Sequence, residues 1–257
     1  MYKTVASGQA GRAGVFAALL AKAGMEGPHL PYEGKAGWCD HVARKRFVLE
    51  EMGRGMKFRI LDTRFKYRPS PGNAISSVLA AEKIAPVRNK DVQRITLEVY
   101  ARAKELMGTH REAWTPDSRE AADHSLPYHV GVTLMDGTVT LRSFSETRFQ
   151  DPELRALMSK IEIVENPEFT RAFENPPVKH RTRITVEVAG GERIVGESGG
   201  DDHDLAEHSG DEKLLAKFRS LTEDYFGSAR VDRILDQLLH LDNLSSVTKI
   251  VPGFVLT

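Results

Sequence analysis

The spacing at which apolar residues recur changes twice along this chain, and that change limits the folds open to it. Near the N-terminus Ala10, Ala13, Phe16, Leu20 and Ala23 are three or four residues apart, which predicts a helix capped by Ser7 and closed at Gly24. Near the C-terminus, Leu214, Leu215, Phe218 and Leu221 form a helical stripe over Asp211–Tyr225. Ile234, Leu235, Leu238 and Leu239 form another over Val231–Leu241. In the middle the step is two. Ile95, Leu97 and Val99 alternate with Arg94, Thr96 and Glu98, and Arg181–Val188 alternates before Ala189-Gly190-Gly191 turns it back through Glu192–Val195. Helices at both ends, with strands and helices inserted over roughly 55–200, make the fold class α+β.

The remaining segments fit that frame. Cys39–Met52 reads as a second helix, and Met56–Tyr67 has strand-like content before Arg68-Pro-Ser-Pro-Gly72 forces a turn. Asn73 is placed to cap a short helix to Ile84, 105–116 reads as polar and irregular, Pro152 opens a helix, and Ile161–Val164 is a short strand. Lys and Arg number 36 against 36 Asp and Glu, so no basic excess marks a nucleic-acid binder. The single Cys39 allows no internal disulfide and fits a reducing, cytoplasmic setting. The most apolar stretch, Val15–Ala21, is far shorter than the roughly 20 residues that span a bilayer.

Chemistry is densest in Asp117-Ser-Arg-Glu-Ala-Ala-Asp-His-Ser-Leu-Pro-Tyr128. There Asp123 is placed to orient the His124 imidazole as a proton shuttle. The plainer reading is that Asp117 or Ser118 caps a helix and Arg119 pairs with Asp123 one turn on. Lys66 and Arg68, at a strand end leading into Pro69, are the types that hold a carboxylate, or else a solvated strand end. Lys3, one turn before the first helix, could meet an anion there or be a frayed terminal lysine. Asp201, Asp202, His203, Asp204 and His208 are hard-ligand types, but an irregular loop does not make them converge and no metal site is assigned. Gly196-Glu-Ser198-Gly-Gly200 matches a nucleophile-elbow string without the helix that must follow it. Gly8, Gly11 and Gly14 follow no strand, so they are helix packing and not a dinucleotide loop.

The stretch 117–128, followed by Val130-Gly-Val-Thr-Leu-Met-Asp-Gly137, resembles the signature segment of the MmgE/PrpD family. Met1-Tyr-Lys3 through Gln9–Ala21 is similar to a tryptophan-lysine-glycine helix opening in that family. Met25–Pro28, Tyr32–Gly37 and Asp211–Arg219 resemble its later stretches. The family includes 2-methylcitrate dehydratases, cis-aconitate decarboxylases and an iminodisuccinate epimerase. The resemblance implies a helical domain formed by both termini (1–54 and 201–257) with an inserted α+β lid (55–200), an active site between them, and homodimers. It implies proton abstraction α to a carboxylate of a di- or tricarboxylate, with no metal or organic cofactor. Lys3 falls on an active-site lysine, and Lys66-Tyr-Arg-Pro69 resembles the lid motif. In this reading Lys3, Lys66 and His124 are catalytic, while Arg68, Asp123 and Arg119 bind substrate.

Two departures qualify the resemblance. Ser70-Pro-Gly-Asn73 follows Pro69, so Asn73 or Gly72 stands where some relatives place a histidine. Relatives also carry a long helical segment before the position of Lys3, which supplies an acid and histidines and is missing here. The alternatives are therefore an isomerase or decarboxylase of the same family, and a catalytically silent fragment or subunit completed by a separate N-terminal chain. Nucleic-acid and membrane partners are not expected.

Overall fold

The structure, a computed structural model, describes residues 2–46, 58, 65–200 and 211–255. They divide into two compact units, Met1–Thr63 and Arg64–Thr257.

In the first unit α1 (Tyr2–Lys22) begins ahead of the expected Ser7 cap, because nothing in Tyr2–Ala6 breaks a helix and Ser7 is carried inside it. Lys3 therefore lies within α1 and not before it. The helix closes as expected at Gly24, which has φ +93°. The Met25 amide donates to Leu20 O and the Gly24 amide to Ala21 O, each at 3.0 Å, so the orphan carbonyls of the last turn are satisfied. Cys39 is buried in a short π-helical turn, Cys39–Ala43. Arg44 follows with φ +52°, a left-handed conformation that interrupts the helix expected over Cys39–Met52. The rest of that segment, most of the strand expected over 56–67, and the acidic loop with His203 and His208 lie outside the described residues.

The second unit is built on a mixed four-stranded sheet. Its elements begin with α2 (Gly72–Glu82), β1 (Val92–Val99), α3 (Ala101–Met107), α4 (Arg111–Trp114), α5 (Arg119–Asp123) and α6 (Leu126–Asp136). There follow α7 (Glu146–Phe149), α8 (Pro152–Met158), β2 (Ile161–Glu165) and α9 (Pro167–Glu174). The last are β3 (Thr182–Val188), β4 (Arg193–Ser198), α10 (Asp211–Phe226) and α11 (Ser228–Leu239). The strand order is β2-β1-β3-β4. β1 and β2 are parallel, so α3–α8 form the long crossover that parallel pairing requires, and the other pairs are antiparallel.

The alternation read from sequence holds: Ile95, Leu97 and Val99 of β1, with Ile184 and Val186 of β3, are buried on one face. Ala74, Ala80 and Ala81 of α2 and Leu126, Val130 and Leu134 of α6 complete that core. A second cluster joins Val78 of α2 to Tyr128, Val132, Phe144, Leu154 and Met158. Two corrections fall in the crossover. The stretch 105–116 contains the end of α3 and all of α4. Asn73 does not cap α2, whose N-cap is Pro71, and its Oδ1 accepts from Tyr100 OH at 2.9 Å. No described helix is long and apolar enough to cross a membrane.

Candidate functional site

The segment before α2 carries two of the expected cations, and each is engaged by the protein. Arg68 reaches the last turn of α2, where Nε and Nη2 donate to the two oxygens of Glu82 at 2.6 and 2.5 Å. Thr138 Oγ1 donates to the same carboxylate at 2.5 Å. The bidentate carboxylate expected at Arg68 is therefore supplied by the chain itself. Lys66 is exposed, and its Nζ donates to Ser70 O at 3.3 Å. Its own carbonyl accepts a hydrogen bond from Lys217 Nζ, 151 residues further along the chain on α10. Partial burial, and then the charge of Lys66, hold the Lys217 ammonium below its ordinary pKa.

A buried imidazole joins this segment to the 117–128 motif. Ser70 Oγ lies 3.3 Å from Nδ1 of His129, a fully buried residue of α6. The other ring nitrogen, Nε2, lies 3.0 Å from the Asp123 carbonyl. A carbonyl only accepts, so Nε2 carries the proton; burial pushes the pKa down and keeps the ring neutral. Nδ1 then accepts from the Ser70 hydroxyl.

In the motif itself, Ser118 caps α5 through Oγ, which accepts from the Ala121 amide at 3.3 Å. Arg119 is exposed, and among the described residues it makes no ion pair with Asp123. His124 closes α5, with Nδ1 2.9 Å from the Glu120 carbonyl and 3.8 Å from Asp123 Oδ2. That carbonyl sets the tautomer by the same logic, so Nδ1 donates and Nε2 is the basic nitrogen. Asp123 contributes charge at a distance instead of the orienting hydrogen bond expected from adjacency. Tyr128 is buried, its hydroxyl donates to the Ser143 carbonyl, and its pKa is pushed up to about 12.

The structure thus joins the Lys66–Ser70 segment to the Asp123 backbone through the Ser70–His129 hydrogen bond, and places Lys217 at Lys66 and Glu82 at Arg68. Lys3 belongs to the other unit and is described with it. Sequence reasoning passed over His129, although a single histidine in the otherwise apolar run Val130–Leu134 and its flanks was a visible signal. Lys217 and Glu82 carried none, because each looks like an ordinary charged residue on an amphipathic helix. Among the described residues no group of three or more His, Cys, Asp or Glu converges as a metal site. Ser198 ends β4 in the core, and a Cβ at Gly196 would lie 2.1 Å from the Ala80 carbonyl. That glycine serves strand–helix packing.

A mixed sheet with helices over its apolar face, and a cation-bearing segment tied to the 117–128 motif, define the setting in which known proteins are compared. The family model for the MmgE/PrpD C-terminal domain matches residues 72–241, and the chain belongs to that family. It is 28% identical over 151 residues to 2-methylcitrate dehydratase of Salmonella typhimurium, covering 57% of this chain and 30% of that protein. The Escherichia coli K12 2-methylcitrate dehydratase is 26% identical over the same length. Cis-aconitate decarboxylase of Aspergillus terreus is 26% identical over 269 residues, 98% of this chain and 54% of that protein. The chain thus spans between about a third and about half of the length of these relatives.

Proposed function

We propose that the protein is a lyase of the MmgE/PrpD type, acting on a di- or tricarboxylate by abstraction of a proton α to a carboxylate. The observation that carries the reading is the Lys217 ammonium seated on the Lys66 carbonyl, close enough for the Lys66 charge to act on it, in a chain of this family. Such a step needs a base and fixed cations that balance charge as it develops on the carboxylate. Lys217, whose pKa partial burial and the charge of Lys66 hold below the ordinary lysine value, is the group suited to exchange a proton, and Lys66 supplies positive charge beside it. His124 presents Nε2 as a relay, Asp123 and Arg119 add polar contacts, and Lys3 is a further acid, base or carboxylate anchor. Neither metal nor organic cofactor has a part in this scheme. Residues 1–54 and 201–257 form one helical domain in it, with 55–200 as the lid and a homodimer, or a partner chain, completing the site. The cytoplasm is the proposed setting. Exposed Val15, Phe16 and Leu19 on α1 support the need for such a partner.

The test is turnover of 2-methylcitrate, citrate, cis-aconitate and iminodisuccinate by the purified protein, alone and with any partner encoded beside it. Lys66→Ala and Lys217→Ala should each lower kcat by roughly 100-fold or more. No turnover of any of the four overturns the reading. One observation favours a silent subunit instead: the bidentate face of Arg68 is already closed by Glu82.

A further inference from the structure

A cleft of about 500 Å³ lies between α11 and the turns that follow it, and it shares no residue with the candidate site. Three cations line it, Arg230 and Arg233 from one side of α11 and Lys249 from the turn Val247–Lys249. Gln237, one helical turn beyond Arg233, adds an amide, while Ile234 and Pro252 supply apolar surface. None of the described lining residues is an acid. The carboxylates of α11 are engaged elsewhere: Asp232 pairs with Arg219 of α10 at 2.6 Å, and Asp236 with His240 at 3.2 Å.

The three cations are not equivalent. Arg230 is fixed: its Nε donates to Gly253 O at 3.0 Å, and its Nη2 to Pro252 O at 3.1 Å and Val255 O at 2.5 Å. Its guanidinium also stands 5.0 Å over the Phe226 ring. Those bonds use three of five N–H donors and leave both donors of Nη1. Arg233 and Lys249 are exposed and, among the described residues, make no ion pair or side-chain hydrogen bond. Like charges converging over an apolar floor repel one another until an anion enters. A planar fork held in place loses little freedom on binding.

We propose that this cleft binds a small multivalent oxyanion, with phosphate or carboxylate heads on a compact carbon body. Three cations and an amide match more than one negative head, and the apolar floor matches the carbon between them. The volume suits a small molecule. A nucleic acid would need a basic stripe well beyond these three side chains, in a chain whose formal net charge is zero. The proposal does not depend on the lyase reading.

The test is calorimetric titration of the full chain with inorganic pyrophosphate and, separately, with citrate at low ionic strength. Saturable one-to-one binding is expected for at least one probe, weakening as sodium chloride is added. Tighter pyrophosphate assigns a phosphate head and tighter citrate a carboxylate head; either supports the site. The double variant Arg233→Ala/Lys249→Ala should lose roughly 100-fold in affinity, about tenfold for each charged contact. Arg233→Glu should lose at least as much as Arg233→Ala. Both altered positions are exposed, and an unchanged thermal midpoint will show that the fold is kept. The proposal is overturned if neither probe saturates or if the double variant binds like the parent. It is equally overturned if a labelled single-stranded oligonucleotide binds and both small anions do not.

Discussion

His129 shows how one side chain can tie together segments that are distant in sequence. It takes a hydrogen bond from Ser70, next to the cation-bearing turn, and gives one to the Asp123 carbonyl in the motif. Burial lowers its pKa, outweighing the hydrogen bond to the Asp123 backbone and the Asp123 charge, which raise it, while the His124 charge acts in the same direction as burial. The sign of the pH dependence follows. With a folded-state pKa below the free value of about 6.5, the unfolded chain takes up the proton first, so this contribution is whole above pH 6.5 and shrinks as the pH falls. Thermal unfolding followed by circular dichroism should therefore give a lower midpoint at pH 5.5 than at pH 7.5. His129→Ala should flatten that difference while costing about 2–4 kcal/mol at pH 7.5, since a cavity opens and the Asp123 carbonyl loses its partner. An equal pH drop in parent and variant would assign the dependence to other groups.

At the scale of elements, two glycines in the β3–β4 region carry different constraints. Gly196 faces α2, where an added Cβ meets the Ala80 carbonyl at 2.1 Å, so backbone must move against backbone. Gly190 has open space around it, but its φ of +101° in the hairpin turn is one that side chains rarely adopt. Gly196→Ala should cost about 2–3 kcal/mol by overpacking. Gly190→Ala should cost about 1–2 kcal/mol by backbone strain alone. Urea midpoints in that order confirm the difference, and a tolerated Gly196→Ala would mean that β4 can move off α2. The hairpin was legible in the sequence because Ala189-Gly-Gly interrupts a strict two-residue alternation, and β1, β2, α8, α10 and α11 were legible for similar local reasons. α6 was not, because it is buried all round and its run from Leu126 shows no polar face to set a period. The site was less legible still. Lys66, Arg68, Asp123 and His124 could be picked out by type, but their surroundings depend on the pairs Arg68–Glu82, Ser70–His129 and Lys66–Lys217, which lie 14, 59 and 151 residues apart.

At the scale of the molecule, the buried core of the described residues is concentrated in one unit. Both hydrophobic clusters draw their buried residues from between Ala74 and Val186, and every described strand lies in the same unit. α11 adds Val231, Ile234 and Leu235. In Met1–Thr63 the buried hydrophobic residue among those described is Cys39, and α1 exposes Val5, Val15, Phe16 and Leu19. Segments with as little buried apolar surface as the described residues 2–46 open at low free-energy cost compared with a unit that has its own core. The composition hides this, because the apolar residues of α1 count toward the hydrophobic total whether or not they are covered. A chain beginning at Arg64 should therefore keep a single cooperative transition, with its thermal midpoint within about 5 °C of the full chain, a shift worth about 1 kcal/mol or less. It should also keep the fall in midpoint between pH 7.5 and 5.5, since Ser70, His129 and Asp123 are all retained. Loss of the cooperative transition would show that residues 1–63 are needed to complete the core. A kept transition without the pH dependence would instead remove His129 as its source.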